Sequence, residues 1–351
     1  MEWMIYGANG YTGQLMVEEA LKRGLRPVLA GRSRDSIEPI AKKYGLPARV
    51  FGLDKPEAVL MGLRGMELVL HCAGPFSKTA APMLKACLET GAHYLDITGE
   101  IDVFAHCHEL DAEAKQRGIV ILPGAGFDVV PTDCLSAILK LELPTAKNLV
   151  LAFDAPGGPS PGTAKTAVEG LGKGGCVRIN GEMTKVPLAW KTRSFAKNGE
   201  QRLAMTIPWG DVYTAYISTG IPNIEVYMSV PPGTVDTLRK IRRLGPLLGF
   251  SPVQKLLKAQ VAKKVRGPSE ETRKDGETWI WGEVSDEAGR QASAVLKTPN
   301  GYTLTVLAAL GIAAKLMGPQ RPIGGYYTPS RLMGADYVLR LPGVKRVSAG
   351  K

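Results

Sequence analysis

Short apolar runs alternate along the first third of the chain with segments that repeat apolar residues every three or four positions. This is the pattern of buried strands, each followed by an amphipathic helix. The first run is Trp3–Tyr6. It ends at Gly7, glycine recurs at Gly10 and Gly13, and Leu15, Met16, Val17, Ala20 and Leu21 then fall toward one side of a helix. Further strands are expected at Pro27–Ala30, Arg49–Leu53, Glu67–Cys72, His93–Ile97 and Ile119–Leu122. Helices are expected over Pro56–Leu63, Thr79–Gly91 and Ile101–Gly118. Strands and helices alternating at this rhythm predict a parallel sheet with right-handed crossovers.

From about Ala146 the rhythm changes. Asn148–Phe153, Val186–Phe195, Val212–Ser218, Ile224–Val230, Thr278–Val284 and Ala292–Leu296 read as strands with few helices between them. That predicts a second domain with a largely antiparallel sheet. Pro156–Gly175, rich in glycine, proline and small residues, reads as a mobile loop. Tyr302–Leu316 reads as a strongly apolar helix.

Strand, glycine turn and helix form the layout that cradles a pyrophosphate: glycine permits close backbone approach, and the helix N-terminus offers N–H groups and a positive dipole end. The spacing here is G-x-x-G-x-x-G. After the second strand a nucleotide-binding sheet meets the adenosine ribose, where an acid favours NAD and an arginine accommodates the 2′-phosphate of NADP. No acid stands there; Arg32, Ser33 and Arg34 do. Ligands of parallel sheets bind at the carboxyl ends of the strands. Gly7, Arg32, Asp54, Ala73–Phe76, Asp96–Glu100 and Gly124–Asp128 all fall at that edge.

Length and composition narrow the class. At 351 residues two domains are expected. The most apolar stretch, Leu304–Met317, is too short to span a bilayer and is interrupted by Lys315. No signal peptide is recognised ahead of the first strand. The five cysteines are scattered without C-x-x-C spacing, and the four histidines lack metal-ligand spacing, so reduced thiols and no metal are expected. The net charge of +11 implies affinity for something anionic.

The series GANGYTG, AGRS, CAGPF, YLDITGE and GFDVVPTD resembles the saccharopine dehydrogenase-like oxidoreductases. The likeness leans to the branch of saccharopine dehydrogenase-related proteins and trans-acting enoyl reductases of lipid and polyketide synthesis. GPSEETR, GEVSDEAGR, LKTPNGYTLT and YYTPS carry it through the later chain. The resemblance implies an α/β fold: a Rossmann-type parallel-sheet domain, residues 1–125 with 301–351, and an inserted α+β domain, 126–300, for substrate binding and dimerisation. It implies NADP contacts from Gly7, Asn9, Gly10, Tyr11, Thr12, Gly13, Arg32, Ser33 and the loop Ala73, Gly74, Pro75 and Phe76, with Asp54 at the same edge. No two-arginine clamp for the carboxylates of saccharopine is evident, which favours a ketone, imine or enoyl group on a less acidic, lipid-like or carrier-bound acyl substrate.

Hydride transfer needs a positioned nicotinamide and a proton source. Glu100 and Asp128 are the candidates, although Glu100 also starts a helix, where a carboxylate stabilises the dipole, and Asp128 stands where a cap belongs. His71 and Cys72 read as core residues. Lys165 and Thr166 are candidates for substrate contact. Residues 239–266 carry Arg239, Lys240, Arg242, Arg243, Lys255, Lys258, Lys263, Lys264 and Arg266 without an acid. Leu238, Ile241, Leu244, Leu247, Leu248, Val253, Leu256, Leu257 and Val261 supply apolar faces there. Such a segment suits an anionic membrane surface or an acidic carrier protein, or packs as helices with solvated lysines; nucleic acid is not expected. The expectation is thus an NADPH-dependent cytoplasmic reductase, at or near a membrane surface, with a homodimer open. Two other readings fit: an amino-acid or imine reductase of the saccharopine reductase type, and a non-catalytic nucleotide-binding or lipid-surface adaptor.

Overall fold

The computed structural model describes residues 2–242, 250–320 and 322–347. The chain divides into two compact units, Met1–Val130 with Leu304–Met333, and Pro131–Thr303 with Gly334–Lys351.

The first unit runs β1 (Trp3–Tyr6), α1 (Tyr11–Lys22), β2 (Val28–Gly31), α2 (Arg34–Tyr44), β3 (Ala48–Val50), α3 (Pro56–Leu63), β4 (Leu68–His71), α4 (Phe76–Thr90), β5 (His93–Asp96), α5 (Ile101–Glu109), α6 (Asp111–Arg117) and β6 (Val120–Leu122). A two-residue strand from the tail, Gly325–Tyr326, pairs parallel to β6. With β15 as that tail strand, the sheet order is β15-β6-β5-β4-β1-β2-β3. Every pairing is parallel. The order reverses beside β1, as in doubly wound nucleotide-binding sheets. β1, β2, β4, β5 and β6 are buried throughout, which is why they read as unbroken apolar runs.

Two boundaries differ from expectation. Helix α4 starts at Phe76, ahead of Thr79, because its first turn is capped from elsewhere in the chain. The expected helix Ile101–Gly118 is broken at Leu110, whose φ of −86° and ψ of 4° leave the helical region. The apolar helix Gly301–Leu316 is buried at most positions from Leu304 to Leu316, with Ala314 and Lys315 exposed. Its Thr305 Oγ1 accepts the Phe127 N–H at 2.9 Å.

The second unit holds α7 (Val130–Glu142), β7 (Asn148–Asp154), α8 (Pro161–Leu171), β8 (Gly175–Ile179), β9 (Glu182–Val186), β10 (Thr192–Lys197), β11 (Glu200–Thr206), α9 (Asp211–Thr219), β12 (Asn223–Ser229), α10 (Thr234–Ile241), β13 (Glu277–Ser285), β14 (Gln291–Pro299) and β16 (Lys345–Val347). Helices Ser251–Lys264 and Glu270–Asp275 complete it. The main sheet path is β10-β11-β12-β7-β13-β14-β16, with β8 pairing β12 and β9. The pairings are antiparallel except β12 with β7. The sheet curls: Trp281 on β13 donates its indole N–H to Ala196 O on β10 at 2.9 Å, although three strands lie between them. The Arg193–Glu283 ion pair bridges the same gap, and Lys197–Asp154 joins β10 to β7.

Four expectations are corrected here. Pro156–Gly175 contains a helix, because Ser160 caps it by accepting the Thr163 N–H and Pro161 fits its first turn. Val212–Ser218 is α9 rather than a strand; its C-terminus stops at Gly220 in the left-handed region, φ 68°. Val186–Phe195 is interrupted, with β9 ending at Val186, a positive φ of 52° at Ala189 and β10 beginning at Thr192. The tail from Gly334 belongs to the second unit, where β16 pairs antiparallel with β14, rather than to the first domain as expected for 301–351.

Candidate functional site: a nucleotide cradle in the first unit

Gly7 closes β1 between the ends of two neighbouring strands. Its N–H donates to Ala30 O at 2.7 Å beside β2, and the Cys72 N–H reaches Tyr6 O at 2.8 Å beside β4. Gly7 has φ 85°, and a Cβ on it would lie 2.8 Å from Ala73 N and Cβ, so only glycine fits. A Cβ on Gly13 would stand 2.2 Å from Gly7 O. Gly10 is different. Its φ of −73° is ordinary, and a Cβ there would lie 3.3 Å from Gly7 O. The turn is closed by the Gly10 N–H donating to Gly7 O at 2.9 Å.

Helix α1 therefore starts over a compact glycine turn. It has no side-chain cap at Gly10 and no acid in its first turn. An uncapped N-terminus beside the switch point of a parallel sheet fits a dinucleotide phosphate. Asn9 is exposed on the turn, while Tyr11 and Thr12 are half-buried at the helix start. Beyond β2, Arg32 is exposed and Ser33 half-buried. Arg34 pairs with Glu38 on α2, whereas Arg32 forms no ion pair among the described residues. Asp54 is exposed past β3. The loop Ala73–Pro75 follows β4, with a cis Gly74–Pro75 peptide.

Glu100 is anchored away from its own helix. Its Oε1 accepts the Phe76 N–H and its Oε2 the Ser77 N–H, each at 2.9 Å. It thus caps α4, immediately after the Ala73–Phe76 loop. The expectation that Glu100 serves a helix dipole holds for α4 rather than for α5, which it precedes. Asp96, fully buried at the end of β5, accepts from Thr98 N–H, Gly124 N–H and Tyr94 O–H at 2.9, 2.9 and 2.7 Å. Burial outweighs these donors and pushes its carboxyl up to about 6. The half-buried Asp128 lies over Gly99, where a Cβ would sit 2.9 Å from its Oδ2. Burial, then the nearby Glu100 charge, pushes the Asp128 carboxyl up to about 7. Three carboxylates at one sheet edge thus have different roles: one caps, one ties loops together, and one holds a proton near neutrality.

His71 is a core group, and Cys72 beside it is half-buried. Thr79 Oγ1 donates to Ala73 O at 2.7 Å and accepts from His71 Nε2 at 3.0 Å. Burial pulls the imidazole down to about 3 and pushes the Cys72 thiol up to about 12, so both stay neutral. All five cysteines are free. Lys165 and Thr166 stand half-buried on α8, in the second unit. Among the described residues no His, Cys, Asp and Glu group is arranged to hold a metal, and no helix is long and apolar enough to cross a membrane.

The glycine turn, the uncapped α1 and the arginine past β2 lie within the stretch, residues 3–122, that matches the model of the saccharopine dehydrogenase NADP binding domain. The mouse saccharopine dehydrogenase-like oxidoreductase is 27% identical over 201 residues, covering 50% of this chain and 47% of the mouse protein. A trans-acting enoyl reductase from Mycobacterium ulcerans is 30% identical over 142 residues, covering 38% of this chain and 34% of that protein. The chain thus aligns with about half the length, or less, of these curated relatives. Apo saccharopine dehydrogenase (L-Glu forming) from Saccharomyces cerevisiae superposes with a TM-score of 0.65 over 99% of this chain and 100% of that one, at 12% identity. That likeness is one of fold. The NADP-binding family name agrees with the basic residue past β2.

Proposed function

We propose that the chain is an NADPH-dependent oxidoreductase that reduces an enoyl, keto or imine group of a lipid-like or carrier-bound substrate. The observation that carries the cofactor choice is Arg32: exposed, without an ion pair among the described residues, and followed by no acid until Asp35. In this reading Gly7, Gly10, Gly13 and the first turn of α1 hold the pyrophosphate. Arg32 and Ser33 take the 2′-phosphate, and the Ala73–Phe76 loop lines the nucleotide. NADPH supplies a hydride when bound. The substrate also gains a proton, and Asp128 is the carboxyl at this edge that carries one near neutral pH. The name of the enoyl reductase relative supports the substrate class.

Calorimetric titration with NADPH and NADH tests the cofactor half, and NADPH absorbance with enoyl, keto and imine acyl substrates tests the chemistry. NADPH is expected to bind the tighter. Arg32→Ala is expected to weaken NADPH by about 1.5–3 kcal/mol, one charge-assisted contact, and to leave NADH unchanged. Equal affinities for the two nucleotides would remove the Arg32 argument. Tight NADPH binding without oxidation by any substrate class would favour the adaptor reading.

A further inference from the structure

We infer that the outward face of helix Ser251–Lys264, with Phe250 at its start, docks on an anionic phospholipid surface. The inference rests on side chains of the second unit and stands apart from the reductase reading.

Among the described residues the helix packs by one side. Gln254 Nε2 donates to Val168 O on α8 at 2.9 Å, and Lys258 pairs with Glu169 at 2.5 Å. Val253, Leu257 and Val261 are half-buried on that same side. The opposite side, Lys255, Leu256, Ala259 and Lys263, is exposed. Leu256 is 61% exposed and Phe250 59% exposed, so two large apolar side chains stand in water on the side that should be the polar one. Lys255 and Lys263 share that exposed side, Lys264 and Arg266 are exposed at and past the helix end, and none of the four forms an ion pair among the described residues. No acid occurs from Thr237 to Ser269. Apolar residues set among uncompensated cations are the signature of a helix lying in a headgroup layer. Lysine, a flexible point charge, suits a diffuse anionic surface better than a fixed bidentate partner.

The structure also narrows the charge set expected from sequence. Arg239 and Arg242 donate to Ala189 O and Leu188 O, each at 3.3 Å, and Lys258 is held by Glu169, so these three serve the fold. Arg243, Leu244, Leu247 and Leu248 lie outside the described residues.

The test is sedimentation of the full chain with mixed phosphatidylcholine–phosphatidylserine vesicles, against phosphatidylcholine alone. Each cation near such a surface contributes about fivefold in partitioning. The triple variant Lys255→Glu, Lys263→Glu, Lys264→Glu is therefore expected to lose roughly a hundredfold or more. Phe250→Ser with Leu256→Ser is expected to weaken binding without changing its salt dependence. Both variants should keep the wild-type circular dichroism and NADPH affinity. The inference is overturned if wild type stays in the supernatant at low salt, if neutral vesicles bind as well as anionic ones, or if the triple variant sediments like wild type. Binding to an acidic acyl carrier protein but not to vesicles would overturn it equally.

Discussion

Replacing Glu100 by alanine separates its two readings. The carboxylate accepts two backbone N–H groups, Phe76 and Ser77, each at 2.9 Å. Helix α4 has no acid in its first turn and no cap from Pro75, so this carboxylate is the anion facing its N-terminus. A hydrogen bond to a charged group contributes about 1.5–3 kcal/mol, and an anion at a helix start about 0.3–1 kcal/mol. Glu100 is half-buried and Ser77 exposed, which places both bonds at the lower end. The expected loss for Glu100→Ala is about 3 kcal/mol, a large share of an ordinary domain's stability. Glu100→Gln keeps one acceptor and turns an NH2 toward the other donor, so it should lose about half as much or more. Urea unfolding followed by circular dichroism reads the loss, and calorimetry reads NADPH affinity, because the capped turn closes the Ala73–Phe76 loop. An alanine variant with the wild-type urea midpoint would refute the capping argument. Wild-type stability and NADPH affinity with abolished turnover would make Glu100 a proton-handling group instead.

The second and third glycines of the turn should respond in opposite ways. Gly10→Val is expected to keep the fold, since φ at Gly10 is ordinary and its Cβ, 3.3 Å from Gly7 O, needs a shift of only a few tenths of an ångström, while calorimetry shows NADPH binding lost to the side chain in the phosphate space; unchanged affinity would move the site elsewhere. Gly13→Ala is expected to lower the unfolding midpoint, because a Cβ 2.2 Å from Gly7 O forces the turn apart at about 1–3 kcal/mol; a wild-type midpoint would contradict that geometry. The Asp128 carboxyl is raised to about 7, so its contribution to stability is fully present below about pH 4 and is lost as pH rises through about 7. With solvent contact allowed for, Asp128→Asn should be the more stable protein by ~1–2 kcal/mol in urea at mildly alkaline pH, and no more stable than wild type in acid. A constant difference across that range would remove Asp128 as the group that titrates.

The first unit was legible because its strands other than β3 are buried on both faces and its helices on one. Trp3–Tyr6 and Leu68–His71 read as apolar runs for that reason, and Pro56–Leu63 matched to the residue because Pro56 marks a helix start. The second unit was less legible because its local signals conflict. Val212, Tyr213 and Ile217 are strand-favouring residues in α9. Their helical state is set by what they pack on and by Gly220 at the end, a tertiary override of propensity. Pro156–Gly175 has loop composition, yet Ser160-Pro161 is a helix-start pair.

At the candidate site, legibility follows sequence distance. The glycine turn and Arg32 are local features, so spacing exposed them. The link between Glu100 and α4 spans 24 positions, and no spacing rule joins a residue to a helix start that far upstream. It explains why α4 begins at Phe76 rather than at Thr79: the cap that permits three more helical residues is supplied by the loop after β5. Asp128 and Gly99 meet in the same way, through adjacent strand ends of a parallel sheet. In such a sheet the strand ends converge however long the crossovers are. The sequence therefore points to the sheet edge where these carboxyls gather, but the separate surroundings of Asp96, Glu100 and Asp128 there follow from which N–H groups and neighbouring charges each carboxyl meets.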